Sequence, residues 1–517
     1  MKREFDYLIA GGGTAGCVLA SELSRQGAGE IAIIEAGTKP YGRRIHTPAL
    51  YSRAFGSRWD YQLATVPQSS MRGRRIAWPR GKMLGGSSGL NAMIYSRGSP
   101  LDFESWPEGW RYPDIVRHFE AIERRLFDIV QTPAIFDSTP ESEKFATLHP
   151  LSERFLLAGR QAGYETLDNH ALEAKSGVCR YLRTQRNGRR LTAFDVFLKT
   201  SPVTTIESTT VEKVIFHDQK AIGLGLSMGN EPVELRARKA VILAAGAIHT
   251  PCIMQKSGLG PSDVLRRSGI EARQVLELVG ENLQDHLVFP IVYAARKIDS
   301  MVPLGDRAAR IEYARYRAGP LTSNIAEVGG FSVLDQATTA TSAPEIQWHF
   351  TPTHYLEYPT RRDPRNAWTI GVTLLHPQSR GRLYVDGPAP FSAVIDPKYY
   401  SEDADLERTH AAIQLSNRIA DQPALDECRL ERLMPGSKAA SPERLEAAIR
   451  AYSTTIYHPI GTCAMGSHGD SVVDQDLRVR GIENLYIADA SVIPCLPSAN
   501  PQAIVMMIGS RLASMLA

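Results

Sequence analysis

An α/β fold, α+β over the whole chain, is what this sequence predicts, and three observations predict it. A strand, a glycine turn, a helix and a second strand follow one another between Phe5 and Gly37. The 517 residues exceed what one core ordinarily serves, so two or three domains are expected. Farther on, strand-like apolar runs at Glu345–Pro352 and Trp368–Pro377 precede a stretch of helical spacing at Asp403–Gln422.

The opening unit is the most specific. Phe5–Ala10 reads as a short buried strand, and Gly11-x-Gly13-x-x-Gly16 follows it at once. Thr14 closes the glycine turn, and Ala15 opens a helical stretch that runs to Gln26 with Val18, Leu19 and Leu23 on its apolar face. Glu30–Gly37 is the second strand, closed by Glu35 and followed by Ala36. Gly11 permits the tight turn, Gly13 lets backbone amides approach a pyrophosphate, and Gly16 lets the helix pack on the strand. The helix N-terminus favours phosphate, and Glu35 accepts from ribose hydroxyls. The motif predicts a dinucleotide, FAD or NAD in preference to NADP, without choosing between the two.

Composition narrows the class. Hydrophobic residues at 43% and charged residues at 22% are ordinary for a soluble globular protein. A formal net charge of +3 asks for neither nucleic acid nor a membrane surface. The short basic clusters Arg72–Arg75 and Asn187–Arg190 read as solvated loops or local phosphate contacts. The six cysteines are scattered with no C-x-x-C pair, so neither structural zinc nor a disulfide framework is expected, nor any other metal site. The N-terminal apolar stretch is too short for a secretory signal, and no run approaches the ~18 apolar residues of a membrane span. A cytoplasmic protein with no integral membrane segment is expected; its oligomeric state stays open.

A second glycine cluster lies between Trp78 and Gly98. Its Gly and Ser residues around Gly85–Gly89 make a loop rich in free N–H donors, suited to phosphate or to a flavin's polar edge. With this segment, Gly246–Pro261 ("GAIHTPCIMQKSGLGP"), Val279–His286 ("VGENLQDH"), His376–Val385, Tyr457–Gly466 ("YHPIGTCAMG") and Asn484–Pro494 appear in a fixed order. Together they resemble the signatures of the glucose–methanol–choline (GMC) oxidoreductase family over nearly the whole chain.

That resemblance implies FAD. It implies that Gly13, Ala15 and Glu35 hold the ADP half, that Gly85, Asn91 and Ala92 lie along the flavin, and that Val211 meets the adenine through its backbone. Asp489 and Ala490, with Pro501 and Gln502, would reach the pyrophosphate, ribityl chain and ring. The scattered signatures imply one Rossmann-like FAD domain assembled from 1–152, 188–288 and 455–517. A substrate domain, a sheet flanked by helices, would come from 153–187 and 289–454. Leu90 stands where some members carry the histidine that attaches FAD, so non-covalent FAD is expected. His249 reads as a local hydrogen-bonder, and Cys463 as a small buried hydrophobe.

Two residues carry the expected chemistry. His458 precedes Pro459, which biases it to turn or extended geometry. Asn500 precedes Pro501 and reads locally as the N-cap of a buried helix that Pro501 begins. By resemblance the pair faces flavin N5. Neutral His458, with an ordinary imidazole pKa near ~6.5, accepts the alcohol proton. Asn500 holds the alcohol oxygen, and hydride passes from the α-carbon to N5. The expected function is oxidation of a primary alcohol to an aldehyde with O2 as acceptor. The alternatives are a choline-type dehydrogenase using a quinone or other acceptor, and a redox-neutral lyase-type flavoprotein. Ile456 is expected on the flavin's oxygen-facing side. Trp348, His349, Phe350, Tyr355 and Tyr358 suggest an aromatic or heteroaromatic alcohol, and Thr360–Asn366 reads as a loop. If FAD is held without a covalent bond, acid precipitation of the purified protein leaves the yellow colour in the supernatant; a yellow pellet would contradict it.

Overall fold

A computed structural model describes residues 2–127, 148–167, 173–229, 231–301, 306–338, 341–355, 365–387, 393–436, 441–467, 469 and 471–517. Its first sheet grows from β1 (Glu4–Ala10), buried from Tyr7 onward because the sheet is covered on both faces. α1 (Thr14–Arg25) and β2 (Ile31–Ile34) follow, and β2 lies parallel to β1 with Ala10 opposite Ile34. The junction of β1 and α1 has room for glycine alone at one place in the turn and at one place in the first turn of the helix. Gly11 has φ +105°, and a Cβ there would lie 2.6 Å from the Ala244 carbonyl oxygen. A Cβ on Gly16 would lie 2.2 Å from the Gly11 carbonyl oxygen, so the helix seats directly on the turn.

Four more strands complete this layer: β3 (Thr204–Ile206), β4 (Thr209–His217), β5 (Lys220–Met228) and β6 (Glu231–Leu243). The order is β3-β2-β1-β6-β5-β4, and Leu485–Ile487 adds to β6 in parallel. β6 serves two ladders. Its first residues pair antiparallel with β5, and its later ones run parallel beside β1. It ends at Leu243, immediately before α2 (Gly246–Lys256). The C-terminal helix, Gln502–Leu516, packs on α1.

The second sheet is antiparallel. It is built from β7 (Leu287–Ala295), β8 (Val328–Ser332), β9 (Ile346–Thr351), β10 (Ala367–Leu374) and β11 (Arg429–Met434) in the order β11-β7-β10-β9-β8, with Gly177–Arg180 beyond β8 and Thr454–Thr455 paired to β7. Its own core packs against α3 (Asp403–Ala420). The period of two along β9 divides that strand. Trp348 and Phe350 are fully buried in this core, and the Trp348 indole donates to Ser416 Oγ of α3 at 2.8 Å. Gln347, His349 and Thr351 lie on the opposite face, which roofs a cavity against the first sheet.

Several local expectations change. Asn500 is not a helix cap: the helix starts at Gln502, Pro501 occupies the cap position, and the Asn500 amide bonds elsewhere. The glycine–serine loop contains one 3₁₀ turn, Gly86–Gly89. The basic cluster ending at Arg190 is not solvated throughout, because Arg190 is fully buried and its guanidinium donates to the carbonyls of Ile45 and Ser88 at 2.8 and 3.0 Å. Trp348 and Phe350 face the core and not the cavity. Tyr358 and residues 360–364 of the expected loop lie outside the described residues. Among the described residues no helix is long and apolar enough to cross a membrane.

Candidate active site

One continuous cavity runs from the α1 turn to the second sheet. Gly11, Gly13, Thr14, Ala15, Glu35 and Ala36 line its outer end. Gly13 sits at the N-cap of α1 and makes no side-chain cap bond, so the first amides of the helix face the cavity with the positive end of the dipole. Glu35 is buried. Its two oxygens accept from the amides of Gly12 and Gly37 at 3.0 and 2.8 Å, and desolvation pushes its pKa up to about 7. Val211 lines the same end.

The middle of the cavity is walled by Asn91, Ala92, Asp489, Ala490, Pro501 and Gln502. Asn91 is fixed from two sides: its Oδ1 accepts from Arg190 at 2.7 Å, and its Nδ2 donates to Gln502 Oε1. Asp489 accepts from the Gly246 amide and Thr250 Oγ1 at 2.8 and 2.6 Å, and from the Ser491 amide at 2.8 Å. Its carboxylate therefore ties α2 to the chain after Leu485–Ile487. Gly16 and Gly85 do not line the cavity. Gly16 seats α1, and the Gly85 amide joins the two glycine loops by donating to the Gly12 carbonyl at 2.7 Å. Leu90 is buried with Ile45, Trp59 and Met83.

His458 and Asn500 meet at the inner end, with His458 Nε2 3.2 Å from Asn500 Nδ2. The His458 loop is held by its main chain. Its amide donates to Asp285 Oδ1 at 2.7 Å, and Arg80 donates to the Tyr457 carbonyl at 2.6 Å. Asp285 Oδ2 accepts from Thr455 Oγ1 at 2.6 Å and from the Tyr399 hydroxyl. Asn500 Oδ1 accepts from Gln347 Nε2 of β9 at 3.2 Å. Ser498, two residues before Asn500, is clamped by Asp102 through its amide and hydroxyl at 2.8 and 2.7 Å.

Burial holds His458 well below the ordinary histidine pKa, and the nearby His286, His349 and Arg80 act in the same direction. The ordinary value expected from sequence is corrected downward, because the surrounding protein desolvates the imidazole and disfavours its charged form. His249 also lines the cavity, with the Tyr61 ring 4.3 Å away, and burial lowers its pKa to about 4. His349, Tyr355 and Ile456 line the inner end. Cys463 is fully buried.

Family models described as GMC oxidoreductase match residues 5–288 and 377–509. The chain belongs to the GMC oxidoreductase family. It is 33% identical to an alcohol dehydrogenase [acceptor] of Pseudomonas putida over 99% of this chain and 95% of that one. It is 31% identical to an oxygen-dependent choline dehydrogenase of Photobacterium profundum over 99% and 93%. Pyridoxine 4-oxidase from Mesorbium loti has the same fold, with a TM-score of 0.87, 29% identity and coverage of 99% and 98%. This GMC oxidoreductase is thus an FAD-dependent enzyme acting on CH–OH groups, and its residues fit that cofactor. The uncapped α1 amides face the cavity, and a Cβ on Gly86 would come 2.8 Å from Gly13 Cα, so two bare backbone segments meet where a pyrophosphate needs close approach.

Arg80, Asp285, His286 and Gln347 were not singled out by sequence reasoning, nor were Asp102, Tyr399, Thr455 and Ser498 behind them. Asp285 and His286 end the "VGENLQDH" segment, and an acid–histidine pair just ahead of a buried strand was the available signal. Asp285→Ala leaves two hydroxyls and one amide inside the protein without their acceptor. At about 1–3 kcal/mol for an orphaned buried group, urea denaturation is expected to show a clear loss of stability, and an unchanged midpoint would show that the His458 loop is held by other means.

Proposed function

We propose that this GMC oxidoreductase oxidises a primary alcohol to an aldehyde, with His458 as the base and Asn500 as the group that holds the alcohol oxygen. The observation that carries the proposal is the placement of a neutral imidazole nitrogen 3.2 Å from an amide donor at the inner end of the cavity. An alcohol oxygen that displaces this direct contact, within reach of both groups, donates its proton to His458 Nε2 and accepts from Asn500 Nδ2. That grip fixes the direction of the α-carbon. When bound, FAD supplies the two-electron acceptor for the hydride that leaves this carbon. The proposal gives FAD the segments 1–152, 188–288 and 455–517, and the alcohol the segments 153–187 and 289–454. Gly11, Gly13, Thr14, Ala15, Glu35, Ala36 and Val211 would hold the ADP half. Gly85, Asn91, Ala92, Asp489, Ala490, Pro501 and Gln502 would hold the rest, directly or by shaping the loops. Leu90 offers no nucleophile, which supports non-covalent attachment.

O2 as the acceptor draws support from the names of the choline dehydrogenase and pyridoxine oxidase relatives. A dehydrogenase using another acceptor is favoured by the name of the Pseudomonas putida relative. A panel of alcohols mixed with the protein, with and without oxygen, decides between them by flavin bleaching and peroxide release. Bleaching by no alcohol would remove the proposal.

His458→Ala is expected to keep FAD and to slow flavin reduction by about 10²–10⁴-fold, the usual worth of a general base. Near-native bleaching in anaerobic stopped flow would rule out the role. The pH dependence has a definite sign. A base whose pKa is depressed stays neutral until the pH falls through that depressed value. The limiting rate of reduction should therefore hold level as pH falls through ~6.5, where an ordinary histidine loses its lone pair. A decline centred on that value would mean that the base is solvated.

A further inference from the structure

The imidazole of His458 has a second neighbour that the proposed reaction does not use. His286 Nδ1 lies 2.9 Å from His458 Nδ1, and the rings meet edge to face with centroids 5.2 Å apart. The other nitrogen of His286, Nε2, lies 2.9 Å from the carbonyl oxygen of Leu375. His286 is completely buried, so it has no access to solvent protons at either nitrogen.

The direction of every hydrogen bond in this chain follows from its last member. A carbonyl oxygen only accepts, so His286 Nε2 carries a hydrogen and donates it to Leu375. Burial pushes the pKa of His286 down to about 3, so the ring is neutral and its Nδ1 is a bare lone pair. Two bare nitrogens do not bond at 2.9 Å, so His458 Nδ1 carries the hydrogen between them. His458 is also neutral, which leaves its Nε2 bare. The far end agrees. Gln347 Nε2 donates to Asn500 Oδ1, so the Asn500 amide presents Nδ2–H to His458 Nε2. The sequence of donors is Gln347, Asn500, and then, from the other side, His458 and His286, ending on Leu375.

We infer that His286 is a positioning residue that locks His458 in the tautomer with a bare Nε2, and that it steadies the imidazolium formed when His458 takes the alcohol proton. No further proton transfer is required. The alcohol O–H bond breaks, the proton binds His458 Nε2, and His458 keeps its Nδ1–H, now a charge-assisted donor to the neutral His286 Nδ1. The arrangement plays the part that a carboxylate plays behind the histidine of a serine hydrolase, with a neutral ring in place of the charge. A neutral partner suits this interior, where a second buried carboxylate beside Asp285 would need a cation of its own.

This inference rests on the proposed alcohol oxidation for its kinetic consequence but not for its structural one, and the test separates the two. In the holoenzyme labelled with ¹⁵N-histidine, long-range ¹H–¹⁵N correlation should show His458 with a protonated Nδ1 and a bare Nε2, the signal being assigned by its loss in His458→Ala. A protonated Nε2 in the resting enzyme would overturn the inference whatever the substrate proves to be. In stopped flow with an alcohol that bleaches the native flavin, His286→Leu removes the acceptor and is expected to lose about 10²-fold or more of the limiting rate, within the range of base catalysis. The half-saturating alcohol concentration should stay near native. His286→Asn places an amide oxygen where Nδ1 stands and should recover to within about tenfold of native, the worth of one ordinary hydrogen bond. Native rates in His286→Leu, or equal losses in the Leu and Asn variants, would also overturn it. Should no alcohol bleach the native flavin, the alcohol reaction fails while the tautomer is still decided by the spectrum; should His286→Leu not retain FAD, the spectrum and the Asn variant decide.

Discussion

Asp285 is a carboxylate with 4% of its surface exposed, and donors from separate parts of the chain converge on it. Thr455 and Tyr399 hold one oxygen, and the amide of His458 holds the other. Burial without partners would raise the free energy of such a group by several kcal/mol. The partners are therefore bound to stay, and the turn that carries His458 stays with them. The next residue, His286, meets the ring of the same histidine. Adjacent positions thus grip His458 twice, once by main chain and once by side chain, from the start of β7.

Asn500 is secured by the same kind of device from the opposite direction. Asp102 holds Ser498, and Gln347 reaches across from β9 to the Asn500 carbonyl oxygen. The two polar groups of the site arrive on loops, which are ordinarily the least constrained parts of a fold. Here each loop ends on a buried acid, and a 3.2 Å separation between side chains 42 residues apart follows from those two anchors. The period of two in β9 supplies the remaining wall, because the face that turns Trp348 and Phe350 into the core necessarily turns Gln347, His349 and Thr351 the other way.

What the sequence made legible was what short-range sterics dictate. Gly11 and Gly16 announce a turn that tolerates no side chain, and the strand and helix around them follow from apolar spacing. His458 and Asn500 stood out because each precedes a proline inside a long motif. The residues that support them did not stand out, because their partners are remote: His286 and His458 are 172 positions apart, and Gln347 and Asn500 are 153 apart. Arg190 looked like one more solvated base in a polar turn. Its burial becomes visible only when the carbonyls of Ile45 and Ser88 are brought around it. The depressed pKa of His458 is hidden from the sequence for the same reason, since desolvation is a property of the assembled cavity and not of the residue.

The cavity walls come from Glu35, Asn91, Val211, Asp489 and Gln502, positions spread along nearly the whole chain. A ligand lying across all of them is a brace between segments that local folding leaves separate. Anything that binds the folded chain alone stabilises it by mass action, about 2.7 kcal/mol at a hundredfold excess over its Kd. That is a large share of the ~5–15 kcal/mol that holds a typical domain together. With flavin in that place, the loaded protein would resist unfolding more than the empty one, so the cofactor would serve as a strut of the fold as well as a reagent.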